Sequence, residues 1–108
     1  MAIVYKETSV QGTASVGTYA TLLSASATSI IGTLGICNTA SVAATYRVGV
    51  TASAGTPSGA EWRVYDATAP ANDTVALTIG LVVDSGDFVR VSSSASTVVF
   101  FASVSEIS

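Results

Sequence analysis

Hydrolytic chemistry usually begins with a base, and this chain has no histidine. Histidine is the commonest general base and a common metal ligand, so neither a Ser-His-Asp nor a Cys-His arrangement can be built. The acids Asp66, Asp73, Asp84 and Asp87 fall at expected strand ends and turns, where a short carboxylate bonds nearby backbone groups. A glycosidase pair would need two carboxyls facing each other across a sugar-sized cleft, and the chain has few long polar side chains to shape one. Asn72-Asp73 and the turn Asp84-Ser85-Gly86-Asp87 offer oxygen atoms, yet neither has the length or the terminal Glu of a calcium loop. The sequon Asn72-Asp73-Thr74 reads as a surface turn. Cys37 is the only cysteine, which excludes an internal disulfide and a Cys-based metal site and leaves it a small hydrophobe at the end of an apolar run. Gly12, Gly17, Gly32, Gly35 and Gly49 never combine into a phosphate cradle. What remains open to the chain is recognition, with no catalytic residue, metal or cofactor expected.

Composition narrows the partner. The 108 residues suffice for one core, expected to span 1–108 as a single domain. A net charge of −3 with only Lys6, Arg47, Arg63 and Arg90 as cations argues against nucleic acid, which is gripped through clustered Lys and Arg. Nearly half the chain is hydrophobic and 10% is charged, against a usual charged share of about 25%, so hydroxyls must meet much of the water. The mean hydropathy is +0.60. No apolar run approaches the ~20 residues of a spanning helix, so no membrane is expected as a partner. The start MAIVYKETSVQG has no basic region before an apolar block, so no secretory signal is expected and the chain should stay in the cytoplasm that makes it.

The elements that position these residues read as strands. Apolar residues alternate at Val75, Leu77 and Ile79, pause at Asp84–Asp87, resume at Val89 and Val91, and return at Val98, Phe100 and Ala102, which is period two. The expectation is a three-strand meander over 70–107, opened by a turn at Pro70-Ala71-Asn72-Asp73. Earlier strands are expected at Tyr19–Leu23, at Ile30–Cys37, where Gly32 and Gly35 suggest a bulge, a bend or a close backbone, and at Ala44–Thr51. In the last of these, Tyr46, Val48 and Val50 should face inward and Thr45, Arg47 and Gly49 outward. Ala52–Gly59 is an expected exposed loop. In Glu61–Asp66, Trp62 and Val64 should face inward, with Trp62 anchoring the core. Residues 1–12 fit either an N-terminal arm or an edge strand. About eight short strands, almost no helical pattern and frequent Gly, Asn and Pro punctuation indicate an all-β, antiparallel β-sandwich of jelly-roll or Ig-like type.

Surface readings follow from the alternation. If Phe100 faces inward, Val99 and Phe101 face outward, and one aromatic needs a cover from a loop, from the N-terminal segment or from another subunit. Arg47, Arg63, Arg90 and Tyr65 fall on outward faces, and Arg and Tyr are favoured at interfaces. With Ala2, Ile3, Val4, Tyr5 and Lys6 of the N-terminal segment, these form the expected partner interface.

The run ICNTASVAATYRVGV (Ile36 to Val50), the later PANDTVALTIGLVVDSGDFVRV, and the closing Ser105-Glu106-Ile107 resemble small β-sandwich virion structural proteins of tailed bacteriophages. The resemblance covers about two thirds of the chain and excludes the first 20 residues. It implies a non-enzymatic role in the virion, with the major capsid protein or another virion protein as partner and a homo-oligomer as the working form. The leading expectation is a capsid decoration, or cement, protein. A tail, collar or fibre module is the alternative, and a carbohydrate-binding sandwich using Trp62 and the tyrosines as stacking platforms is the third.

Overall fold

The computed structural model describes residues 2–107; residues 1 and 108 of the expected domain lie outside it. Eight strands follow one another: β1 (Ile3–Gln11), β2 (Ala20–Ser24), β3 (Thr28–Asn38), β4 (Ala44–Thr51), β5 (Trp62–Ala69), β6 (Asp73–Val83), β7 (Phe88–Ser93) and β8 (Val98–Ile107). A single 3-10 turn at Gly59–Glu61 leads into β5. The strands form two four-stranded sheets, here sheet A in the order β1-β8-β3-β6 and sheet B in the order β2-β7-β4-β5. Each adjacent pair is antiparallel.

Strand β1 lies beside β8, β2 beside β7, β3 beside β6 and β4 beside β5. The chain is thus one long hairpin, with its bend between β4 and β5, whose paired arms wind over both layers. That is the jelly roll rather than the Ig-like arrangement. The expected meander over 70–107 is corrected: β6 joins sheet A, β7 crosses to sheet B, and β8 returns to lie between β1 and β3. Alternation tells a strand which face is apolar. It does not tell which strand will lie alongside, and in this fold the turn at 84–87 carries the chain between layers.

The inward faces follow the alternation where no bulge intervenes. Tyr46 and Val48 of β4 are buried, as are Val98, Phe100, Ala102 and Val104 of β8. Phe100 is fully buried and meets Tyr46 edge to face, ring centroids 6.1 Å apart, so one aromatic pair links sheet A to sheet B. Burying a side chain of this size contributes about 1.5–3 kcal/mol. Five polar residues are buried, Ser29, Asn38, Thr51, Ser92 and Ser93, and Asn38, at the end of β3, is the one amide among them. Its amide nitrogen donates to the carbonyls of Val42 (2.9 Å) and Ala69 (3.2 Å), and its oxygen accepts from the Ala40 N–H (3.1 Å) and the Thr97 hydroxyl (3.3 Å). One buried side chain thereby joins the end of β3 to two loops and to the end of β5.

The choice between arm and edge strand resolves in favour of the strand. β1 pairs residue for residue with β8, from Ile3 opposite Ile107 to Gln11 opposite Val99. The Lys6 ammonium also meets the Glu106 carboxylate at 2.6 Å. An exposed pair of this kind contributes at most about 1 kcal/mol, so backbone pairing is what holds β1 in place.

Candidate interaction surfaces

Two open sheets have four edges, and in this molecule the edges differ. On β6, an extra residue stands opposite the Ile31-to-Thr33 step, and Gly80 takes a positive φ of 53°. On β2 the register slips between Thr21 and Leu23. On β5 it slips twice, between its partners Tyr46 and Val48 and again between Val48 and Gly49. Among the described strands, β1 alone is an edge with unbroken register. Bulges twist an edge away from strange strands, so β1 is the edge left ready to pair. Ile3, Val4 and Tyr5 lie on it, with Tyr5 79% exposed.

The outer face of sheet A continues this surface. Phe101 points outward and is 40% exposed. Its ring lies flat over Gly35, where a Cβ would overlap the ring, so the close approach suspected at Gly35 is made by an aromatic side chain rather than by a backbone. The strand is central, as one expected account of Phe101 required, but β1 lies beside it and not over it. Val99 is half-buried on the same face. Nearby, at the Gly32 bulge, a depression of about 350 Å³ is lined by Tyr5, Lys6, Gly32, Ser103, Val104 and Ser105.

The outer face of sheet B is built differently. Strand β5 would place Trp62 inward if it alternated strictly; the two extra residues, Arg63 and one of the Tyr65-Asp66 pair, restore Val64 and Ala67 to the inner face and bring both Trp62 and Tyr65 outside. This corrects the expected core anchor: Trp62 is half-buried on the outer face, and Phe100 holds the core instead. Trp62 meets Tyr65 edge to face at 4.9 Å and Tyr19 at 5.9 Å. The Arg47 guanidinium lies 4.2 Å over the Tyr65 ring and 5.7 Å from the centre of the Trp62 ring.

Arg47 is fixed further by a two-pronged bond to Asp66, Nε to Oδ1 at 2.6 Å and Nη2 to Oδ2 at 3.2 Å, and by donation to the Tyr19 hydroxyl at 3.4 Å. The hydrogen bond from Arg47 holds the Asp66 carboxyl below its ordinary range, and the same bond raises the guanidinium further above its own. The geometry depends on Asp66 adopting a φ of 53°, a left-handed conformation that Asp tolerates better than most residues. The other arginines are also occupied. Arg90 donates to the Gly55 carbonyl (3.1 Å), the Thr21 hydroxyl (2.5 Å) and the Tyr19 carbonyl (3.4 Å). Arg63 is exposed on β5 and donates to the Ala60 carbonyl at 2.8 Å. The loop expected over 52–59 is exposed at all but Gly55 and Pro57, and buried Pro57 anchors it by packing over Gly49, where a Cβ would overlap the proline ring.

The expected interface residues therefore separate into two groups on opposite outer faces. Ile3, Tyr5, Val99 and Phe101 gather on the outer face of sheet A, with Val4 and Lys6 on the same edge strand and exposed Ala2 just before it. Arg47, Tyr65 and Arg90 share the outer face of sheet B, and Arg63 lies on its bulged edge. Of this cluster, Trp62 and the tyrosines were expected as stacking platforms in the carbohydrate-binding alternative, but with Trp62 on the core face, and Asp66 was expected only as a turn residue. The available signal was the spacing of Trp62 and Tyr65, three apart, which shares a face only if a bulge intervenes. Among the described residues, no group of three or more acidic or cysteine side chains is placed to hold a metal ion, and no helix is long and apolar enough to cross a membrane. In comparisons with known proteins, no family model, no curated protein and no solved structure matches the chain.

Proposed function

We propose that this chain is a non-enzymatic structural subunit of a virion, most specifically a decoration protein of a tailed-phage head. It works by pairing its β1 edge with the β1 edge of a second copy and presenting the resulting oligomer to the shell. The observation that carries the reading is the unbroken register of β1 beside three bulged edges. An open edge is completed by another open edge. Among the described strands β1 is the one that has it, so the complementary surface on a like molecule is β1 itself. Antiparallel pairing about a twofold axis closes on itself without leaving a new edge to extend, and it would draw the apolar residues Ile3, Val4 and Tyr5 out of water. The outer face of sheet A, carrying Phe101, adjoins that seam and is available to the shell protein.

Support for the virion setting comes from the resemblance of residues 36–107 to phage sandwich proteins, from a jelly roll with a small, hydroxyl-rich surface, and from the lack of a histidine to run acid–base chemistry. The test is the stoichiometry of the chain in purified particles, by quantitative mass spectrometry against the major shell protein. A ratio near one to one or one to three is expected. A few copies per particle would replace decoration with a tail, collar or fibre role, and absence from particles would overturn the virion reading.

A further inference from the structure

The outer face of sheet B carries several local costs. Asp66 is held at positive φ. β5 is bulged twice within a few residues. The Ser92 hydroxyl, buried opposite Arg47 in the register, has no hydrogen-bond partner among the described residues. Strained backbone and re-aimed strands concentrate at sites of function. Here they achieve one thing: Trp62, Tyr65, Tyr19 and the Arg47–Asp66 pair are brought together on a surface facing solvent.

From this cluster we infer a carbohydrate-binding site in which a pyranose ring stacks on Tyr65 beside Trp62, with its hydroxyls bonded by Asp66 and Arg47. The fit is one of amphipathic shapes. A pyranose has an apolar C–H face and hydroxyls at its rim. Arg47 lies over the Tyr65 ring, and Tyr65 as a residue is still 56% exposed, so it keeps surface for a ligand. Trp62 meets it at 4.9 Å with its ring steep to that of Tyr65, so the indole stands as an apolar wall beside the stacking ring. At the margin, the Asp66 side chain is 44% exposed while accepting from Arg47, so its carboxylate retains acceptor capacity toward solvent. The carboxylate and the guanidinium stand in a fixed relative position, because their mutual two-pronged bond locks both. A donor set and an acceptor set fixed side by side suit vicinal hydroxyls, each of which can both donate and accept. A protein partner would call for a broader apolar centre than three rings and an ion pair provide. The inference is independent of the proposed assembly, since the β1 edge lies on the other sheet.

Trp62 is the only tryptophan in the chain, so intrinsic fluorescence reports this site without interference. The purified protein is titrated with lactose, cellotriose, maltotriose, mannotriose and chitotriose while Trp62 emission and the indole N–H resonance are followed. At least one saccharide is expected to give a saturable change at both. Tyr65→Ala should weaken that binding by about tenfold or more, as loss of a stacking ring implies, and Tyr65→Phe should retain it. Because Tyr65 is exposed, circular dichroism should show the fold unchanged in both variants. Phe101→Glu, on the opposite face, should bind as the parent does. No saturable response from any of the five saccharides would overturn the site, as would binding that survives Tyr65→Ala.

Discussion

The two sheets of this jelly roll treat their edges and outer faces in opposite ways. Sheet B has bulges in both of its edge strands, and its outer face holds two arginines in bonds within the chain: Arg47 to Asp66 and Tyr19, Arg90 to Thr21 and the Gly55 carbonyl. Sheet A has one bulged edge and one regular edge, and Phe101 lies uncovered on a glycine. The contrast teaches that residue type alone is a poor guide to an interface. Arginine and tyrosine are favoured at contacts, yet here Arg47 and Arg90 are committed within their own chain. The surface without such commitments belongs to the small and apolar residues of β1 and β8.

Breaking what both sheets share should have the largest effect. Phe100→Ala removes the ring that meets Tyr46 across the core and should cost about 3–5 kcal/mol in chemical denaturation, with both sheets lost in one transition. Next comes the contrast between edges. Lysines at Ile3 and Tyr5 should weaken self-association by about 30-fold or more, measured by sedimentation equilibrium, because unpaired charge would have to be buried in the seam. The same pair should leave the unfolding free energy of the monomer within about 0.5 kcal/mol, since both sites are exposed. The guarded edge of sheet A is tested by Gly80→Ala, which forces a side chain into a left-handed conformation and should cost about 1–2 kcal/mol.

The smallest effect concerns acid. Asp66 has its folded-state affinity for protons lowered by Arg47, so the pair's contribution is complete above the ordinary carboxylate value of 3.8 and is lost as pH falls through the lower folded value. Trp62 emission should therefore stay constant from neutral pH down to about 4 and change only below it, and Asp66→Asn should abolish that acid change.

How much could be read in advance depended on bulges. Tyr46, Val48 and Val50 occupy an uninterrupted stretch, so alternation assigned their face correctly, and it grouped Val98, Phe100 and Ala102 on one face while leaving open which way that face points. Gly32 was recognisable as a bulge because glycine marks such places. In β5 the positive φ falls on an aspartate and the second extra residue is an arginine, neither of which announces a bulge, so Trp62 was assigned to the wrong face and its meeting with Tyr65 and the Arg47–Asp66 pair was not legible. Strand neighbours are a matter of long-range pairing. The turn at 84–87 looks the same in sequence whether it makes a hairpin or a crossing between layers, and so the meander was expected where the jelly roll is found. The apolar character of Ile3 to Tyr5 was plain from the residues, whereas its meaning, an edge with nothing to blunt it, appeared only once the other three edges could be compared.

The most direct test of the central claim is sedimentation velocity on three proteins over a range of concentrations: the parent chain, the Ile3→Lys/Tyr5→Lys variant, and Tyr65→Lys on the opposite sheet. The account predicts a reversible dimer for the parent and for Tyr65→Lys, and a monomer for the β1 variant. A dimer that survives lysines on β1, or one that dissociates with Tyr65→Lys, would contradict it.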